Sequence, residues 1–315
     1  MQIEPAKSPT LRFIGVTTAK SLIMKVFPLW AKELGLSNAT IKGIDIEIHA
    51  DKKIYREVVD FLKSDELSLG ALITNHKIDI YEAASDLFDY LDPYAKMFGE
   101  VSCISKNGNK LEGYAKDPIS SGLAMEEFIP PNFWRDHGGE VFIIGAGGSA
   151  RGIAFYLMQE KHKDNVPSKI IISNRSQPRL DTIKKLFLEY NPRNIELEFH
   201  LTPEPRLNDA ILKTVKPYSL IINATGLGKD RPGSPLTDNA EFPENSIVWD
   251  INYRGDLKFL HQAKEQMDAK KLRLEDGWRY FIHGWTQVIA EVFHIKIPPQ
   301  KIDILSNIAN TIRYS

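Results

Sequence analysis

Cysteine is nearly absent: the 315 residues contain one, Cys103. A lone thiol forms no internal disulfide, which excludes the stapled scaffolds of small secreted domains. It fits a reducing compartment, so a cytoplasmic location is expected. A surplus of basic charge is lacking too. The 40 Lys and Arg stand against 41 Asp and Glu, a formal net charge of −1, without the electrostatic footprint that nucleic-acid binding needs. No apolar run approaches the roughly 20 residues of a membrane span. Met1–Pro9 is polar, and the first apolar run, Phe13–Val16, is too short for the core of a signal peptide. The eight histidines show no metal-ligand spacing, and H-E-x-x-H does not occur. His283 and His294 lie too far apart on one helix to share an ion, so no metal site is expected. Internal repeats and low-complexity segments are missing as well.

What remains is an ordinary globular composition, 43% hydrophobic and 26% charged, with length enough for two domains. The first third alternates two periods. Leu11–Val16 reads as a strand, then Leu22–Leu34 as a helix with Ile23, Val26, Phe27 and Trp30 at helical spacing. Ile41–Ile48 reads as a strand, Tyr55–Leu62 as a helix, Gly70–Thr74 as a buried strand and Tyr81–Leu91 as a helix. Strands alternating with helices imply a mainly parallel, helix-flanked sheet. Gly138-Gly139 precedes a new start. Glu140–Ile144 is a compact apolar strand leading into a glycine loop and a helix through Gln159. The strands Lys169–Ser173, Ser219–Ile222 and Ser246–Ile251 follow, with a helix at Asp181–Glu189. Near the end, Phe281, Gly284, Trp285, Val288, Ile289, Val292 and Phe293 form one continuous apolar face. The tail Ile302–Ile312 reads as a short amphipathic helix. The expected fold is α/β with two domains. The first is a three-layer α/β substrate domain over residues 1–118, completed by helices within 266–315 that return to it. The second is a Rossmann-like domain over 119–265.

The glycine loop carries the first chemical signal. Gly145-Ala146-Gly147-Gly148-Ser149-Ala150 reads G-x-G-x-x-A directly after a strand and at the start of a helix. The first glycine allows the tight turn, the second lets backbone approach a pyrophosphate, and the small sixth residue permits close helix–strand contact. The helix N-terminus presents free N–H groups to the phosphate. Cofactor choice is read at the end of the second strand, where NAD sites place Asp or Glu. Here the chain runs Ser173-Asn174-Arg175-Ser176-Gln177-Pro178-Arg179, with no acid before Asp181. Two guanidiniums and a hydroxyl suit a 2′-phosphate, so NADP is the expected cofactor. Taken alone, the same arginines also read as solvated surface residues.

With Asn223-Ala224-Thr225 added in that order, these segments resemble the cofactor half of the shikimate/quinate dehydrogenase family. The resemblance implies an amino-terminal substrate domain and a catalytic lysine in a motif like N-V-T-x-P-x-K. Gly70-Ala71-Leu72-Ile73-Thr74-Asn75-His76-Lys77 corresponds to it. Lys77 matches, the proline is absent, and Thr74 stands one residue closer to the lysine than the pattern has it. The family aspartate of G-x-N-T-D falls on Asp117, in Gly113-Tyr114-Ala115-Lys116-Asp117, and G-A-V-N-T corresponds to Gly99-Glu100-Val101-Ser102-Cys103. The amino-terminal loop G-x-P-I-x-H-S-x-S-P corresponds to Gly15–Met24. Ser21 matches its first serine, Ile23 replaces its second, and Lys20 stands where histidine is usual. The resemblance thus implies Lys77 and Asp117 as the catalytic pair, and Ser21, Thr74, Ser102, Tyr253 and Gln287 as substrate contacts. The cofactor would meet Gly145, Ala146, Gly147, Gly148, Ser149, Ala150, Asn174, Arg175, Ser176, Arg179, Asn223, Ala224 and Thr225. The departures cluster on substrate contacts and spare the Lys–Asp pair, which reads as retained chemistry on an altered substrate.

Interconverting a secondary alcohol and a ketone needs a hydride carrier and a proton donor or acceptor at oxygen. The cofactor supplies the first and a positioned lysine the second. Alone, Lys77 reads as a surface lysine opening a helix, and Asp117 as a helix cap ahead of Pro118. His76 reads equally as a substrate contact or a solvent-facing residue. Cys103 reads as core, and Trp278 and Trp285 as packing. The partner set is a small-molecule substrate and, at most, a second copy of the chain as a homodimer. Two rival functions stand beside the dehydrogenase: a catalytically silent NADP-binding sensor, and an enzyme of another class with the same layout, such as a folate-linked dehydrogenase.

Overall fold

The alternating pattern of the first third folds as β1 (Thr10–Gly15), α1 (Ile23–Glu33), β2 (Thr40–Asp45), α2 (Lys52–Ser64), β3 (Ser68–Ile73) and α3 (Lys77–Ala84). It continues through β4 (Tyr90–Leu91), α4 (Pro93–Phe98), β5 (Cys103–Asn107) and β6 (Lys110–Tyr114). The computed structural model describes residues 3–229 and 231–313. The chain divides into two units, residues 1–116 with 282–315, and residues 117–281.

In the first unit the strand order is β2-β1-β3-β5-β6-β4. β1 pairs parallel with β2 and with β3, whereas β3–β5 and β5–β6 are antiparallel. The chain steps from β1 outward to β2 and then back across β1 to β3. Right-handed connections, the near-universal hand, place α1 and α2 on opposite faces of the sheet. Capping residues define several of the helix starts. The Asp51 carboxylate accepts the Lys53 N–H at 2.8 Å to open α2, and the Asp92 carboxylate accepts the Ala95 N–H at 2.6 Å ahead of Pro93.

One expected element is corrected. Tyr81–Leu91 is not a single helix: α3 stops at Ala84, a 3₁₀ turn covers Ser85–Leu87, and Tyr90–Leu91 pairs parallel with β6. The stop comes from α2. Arg56 donates to the Ala83 carbonyl at 2.8 Å and to Asp86, and Lys63 donates to the Leu87 carbonyl at 3.1 Å and to Asp89. These cations satisfy carbonyls that a longer helix would bond internally, so the chain turns there.

The second unit holds α5 (Asp117–Phe128), α6 (Phe133–His137), β7 (Val141–Ile144), α7 (Gly148–Met158), β8 (Lys169–Asn174), α8 (Gln177–Glu189) and β9 (Glu196–Leu201). It continues with α9 (Pro205–Leu212), β10 (Leu220–Asn223), β11 (Ile247–Asp250), α10 (Lys258–Lys264), α11 (Met267–Lys270) and β12 (Arg273–Glu275). All six strands run parallel in the order β12-β11-β10-β7-β8-β9. Counted from β7, the order is 3-2-1-4-5-6 read from the other edge, the doubly wound arrangement of dinucleotide-binding sheets. The central strands β7 and β10 are buried along their whole length, as strands covered on both faces must be. The outer strands β9 and β12 carry no buried apolar run, which is why the sequence pattern did not reveal them.

The division between the units falls inside α12 (Trp278–Val292), and α13 (Pro299–Arg313) follows it. In the first unit, Trp285 of α12 packs edge-on against Phe13 of β1, with ring centroids 5.0 Å apart. The Trp30 indole of α1 donates to the Leu305 carbonyl of α13 at 2.8 Å. The two carboxy-terminal helices therefore complete a core begun some 270 residues earlier in the chain. Among the described residues no helix is long and apolar enough to cross a membrane.

Candidate active site

The second unit places its glycine loop where the sheet changes direction. β7 and β10 are neighbours although Val141 and its partner Leu220 lie 79 positions apart in the chain. Gly145 follows β7 with φ +120°, and a Cβ there would lie 2.7 Å from the Ala224 carbonyl oxygen of the loop after β10. Both the backbone conformation and the close approach require glycine. Gly147 stands at the N-cap of α7 and no side chain caps that helix, so its first amides remain available to an anion. Gly148 begins α7, Ala146 and Ala150 are buried, and the Tyr280 hydroxyl donates to Ser149 Oγ at 3.2 Å.

Asn174 ends β8 and its amide donates to the Ser176 carbonyl at 2.9 Å. Ser176 is the N-cap of α8, with Pro178 in its first turn. Arg175 and Arg179 are exposed, and neither has a hydrogen-bond or ion-pair partner among the described residues. The structure thus brings the glycine loop, the loop bearing the two arginines and the loop 224–228 to one end of one sheet.

The Asn223 side chain is fully engaged. Its Oδ1 accepts the Thr225 N–H at 3.0 Å and hydroxyl at 2.6 Å, and its Nδ2 donates to Asp250 Oδ2 at 3.1 Å and the Leu227 carbonyl at 3.3 Å. An amide side chain offers two donors and two acceptor sites. Asn223 therefore shapes the loop, while Ala224 and Thr225 are half-buried along it. Asp250, opposite Asn223 on β11, is fully buried, and burial raises its carboxyl to about 7 against the pull of bonds from Asn252 and Asn223.

Asp117 is the first residue of α5 and is 7% exposed. Its position is set by α7. Gly152, one turn into that helix, comes so close that a Cβ would lie 2.9 Å from the Asp117 carbonyl carbon and 3.0 Å from its Cβ. The Ser121 hydroxyl donates to the Asp117 carbonyl at 2.7 Å. The helix that carries the glycine loop thus also locates the carboxylate. Tyr253, half-buried after β11, meets Phe281 and Trp278 in tilted ring contacts, with centroids 4.6 and 5.7 Å away.

In the first unit, Ser21, Thr74, Ser102 and Lys77 gather at the carboxyl ends of β1 and β3. The Thr74 N–H donates to the Ile14 carbonyl at 3.0 Å, and the Val101 N–H to the Lys77 carbonyl at 3.0 Å. The loop bearing Ser21 is pinned by Thr18, whose N–H and hydroxyl both donate to Asp45 Oδ1, at 2.8 and 2.6 Å. Ser102 Oγ accepts the Lys116 N–H at 2.7 Å and donates to the Tyr114 carbonyl at 3.4 Å, leaving one acceptor site. Ile23, at the start of α1, is fully buried, so its side chain belongs to the core. Gln287 is half-buried on α12. Lys77 is the first residue of α3 and half-buried.

Sequence reasoning missed two contacts around these residues. His76 is fully buried, which rules out the solvent-facing reading, and its Nδ1 lies 3.1 Å from the Tyr55 hydroxyl. Burial lowers its pKa, partly opposed by nearby Gly15 and Ile46 backbone and Asp79. The Lys116 ammonium pairs with Glu291 of α12 at 2.6 Å and sits 4.4 Å from the centre of the Tyr114 ring. No local pattern announces either contact, because Tyr55 and Glu291 lie 21 and 175 residues from their partners. Cys103 is fully buried, and burial pushes its thiol up. Among the described residues no cluster of three or more His, Cys, Asp and Glu is placed to hold a metal ion.

No family model matches the chain. Among curated proteins, the shikimate dehydrogenase (NADP(+)) of Geobacillus kaustophilus is 30% identical over 213 residues, 67% of this chain and 68% of that protein. That of Nitrosopumilus maritimus is 27% identical over 218 residues, 67% and 69% of the two chains. Among solved structures, shikimate dehydrogenase from Aquifex aeolicus superposes with a TM-score of 0.73 at 21% identity, covering 99% of this chain and all of the other.

Proposed function

This chain belongs to the shikimate dehydrogenase family, and from that premise we propose that it is an NADP-dependent oxidoreductase interconverting an alcohol and a ketone on a shikimate-like cyclic polyol or hydroxy acid. The observation that carries the cofactor half is the glycine loop at the switch point of an all-parallel sheet, beside two exposed arginines and no carboxylate between Asn174 and Asp181. The residues fit the group: the uncapped start of α7 would hold the pyrophosphate, and Arg175 and Arg179 would meet the 2′-phosphate. NADP, when bound, supplies or accepts the hydride.

In this reading the first unit carries Lys77, Ser21, Thr74, Ser102 and Gln287, and the second carries the cofactor contacts together with Asp117 and Tyr253. Lys77, half-buried at the start of α3, gives a proton to the substrate oxygen during reduction and takes it back during oxidation. Asp117, held by the α5–α7 contact, accepts a hydrogen bond from a substrate hydroxyl. Ser21, Thr74 and Ser102 offer hydroxyls toward the substrate, with Gln287 and Tyr253 as further contacts. With Ile23 in the core and one acceptor site left on Ser102, shikimate itself is a poor substrate. The chain works in the cytoplasm, in keeping with its one buried thiol.

The test is absorbance at the reduced-nicotinamide band, with NADP or NAD offered alongside a panel of cyclic polyols that includes shikimate and quinate. Turnover with NADP on at least one polyol is expected, with a kcat/KM for shikimate below about 10⁴ M⁻¹s⁻¹. NADP binding without turnover on any of them would favour a sensor over an enzyme.

A further inference from the structure

The carboxyl ends of β10 and β11 hold a buried polar cluster whose centre has no role in the reaction described above. Asp250 ends β11, and both of its oxygens meet donors: Oδ2 the Asn223 side-chain amide at 3.1 Å, Oδ1 the Asn252 backbone N–H at 2.9 Å. Asn223 turned this way offers its oxygen to Thr225, and Thr225 Oγ1 accepts the Leu227 N–H at 3.2 Å. From the other side, Asn252 Nδ2 donates to the carbonyls of Thr225 and Leu227, both at 3.1 Å. All of these bonds but the one from the Asn252 backbone N–H to Asp250 end on residues 223–227, the loop whose Ala224 carbonyl crowds Gly145.

A doubly wound sheet takes a dinucleotide across its switch point, one half to each side. Arg175 and Arg179 beyond β8 mark the adenosine side, so the other half extends over β10 and β11. We propose that Asp250 is a positioning residue for the nicotinamide half of the cofactor, setting through Asn223 and Asn252 the backbone of residues 224–227 against which that half lies. The proposal rests on the NADP reading above. A carboxylate suits the place because Asn223 cannot turn its amide around: its oxygen is already held by two donors of Thr225. An amide at position 250 would set an NH₂ against a donor. The charge of Asp276 adds a smaller push that raises the Asp250 pKa further.

The experiment titrates the full chain calorimetrically at pH 8 with NADP and with adenosine 2′,5′-bisphosphate, which lacks the nicotinamide half. Unmodified protein, Asp250→Asn and Asn252→Ala are compared, with a thermal melt of each. Asp250→Asn is expected to weaken NADP about tenfold or more and to leave the bisphosphate within about twofold, an uneven loss that general destabilisation does not produce. Asn252→Ala should shift NADP in the same direction, and it decides the matter should Asp250→Asn fail to fold. Equal losses for both ligands, or no loss for either, overturn the role of Asp250. Failure of the unmodified protein to bind the bisphosphate overturns the NADP reading itself, a distinct result.

Discussion

Gly152→Ala isolates the link between the glycine-loop helix and Asp117. The new Cβ would stand 2.9 Å from the Asp117 carbonyl carbon, 3.0 Å from its Cβ and 3.1 Å from the Pro118 nitrogen. Two of these three neighbours are backbone atoms, so no flexible side-chain end can swing away to make room. Carbon–carbon contacts settle near 3.5–4.0 Å, so α5 and α7 must part by roughly half an ångström. Overpacking of this kind costs about 1–3 kcal/mol. Removing a glycine from a helix interior returns about 1 kcal/mol. The net loss is about 0–2 kcal/mol, or a fall in Tm of up to about 8 °C at roughly 2–4 °C per kcal/mol. The rate should suffer more than the fold. A misplacement of about 1 Å in a catalytic group costs on the order of 100-fold, so half that shift predicts roughly tenfold in kcat. The assay pairs a thermal melt with steady-state rates at saturating NADP. A variant that melts within about 1 °C of the parent and turns over at an undiminished kcat would refute the claim that this contact locates Asp117.

Three further outcomes are expected. Charge reversal or removal at Arg175 should raise the KM for NADP while leaving NAD use nearly unchanged; steady-state kinetics with both cofactors decide it. Lys77→Ala and Asp117→Asn should each abolish turnover while cofactor binding, followed by fluorescence titration, persists, since the glycine loop and the arginines lie elsewhere in the chain. Losing a positioned proton donor costs about 10²–10⁴ in rate, and the double variant should fall little further than the worse single one. Asp250 should make stability pH-dependent in an unusual direction. Its folded pKa of about 7 stands above the ordinary aspartate value of 3.8. The folded form therefore keeps a proton that the unfolded chain has released, and the stability this confers is full below pH 4 and lost as pH rises through about 7. The span is on the order of 4 kcal/mol, read from denaturant melts of the parent against Asp250→Asn, which should lack that slope.

The cofactor unit was the more legible half. Val141–Ile144 is a run of four apolar residues buried on both faces, followed by glycines and then a helix, and each step is a local pattern with a local cause. Period and turn chemistry act within a few residues, so a short window contains the whole signal. The same holds for the long apolar face of α12 and for the arginines after β8. The limits of that reading appear at Tyr81–Leu91, where side chains of α2, rather than anything in the segment, stop α3. They appear again at Lys77 and Asp117, each of which does begin a helix, so that in one dimension the bland reading and the catalytic one coincide.

Asn223 and Asp250 show the boundary most plainly. Nothing near either residue foretells the other, yet the parallel pairing of β10 with β11 sets them side by side, and a hydrogen bond then shapes a loop that belongs to neither strand alone. His76 with Tyr55, Lys116 with Glu291 and Gly152 with Asp117 are of the same kind. Local sequence specified the elements, the glycine turn and the absence of an acid after β8. Strand register and the closeness of two helices were specified by packing between surfaces distant in the chain, and packing is a property of the assembled core that no single segment carries.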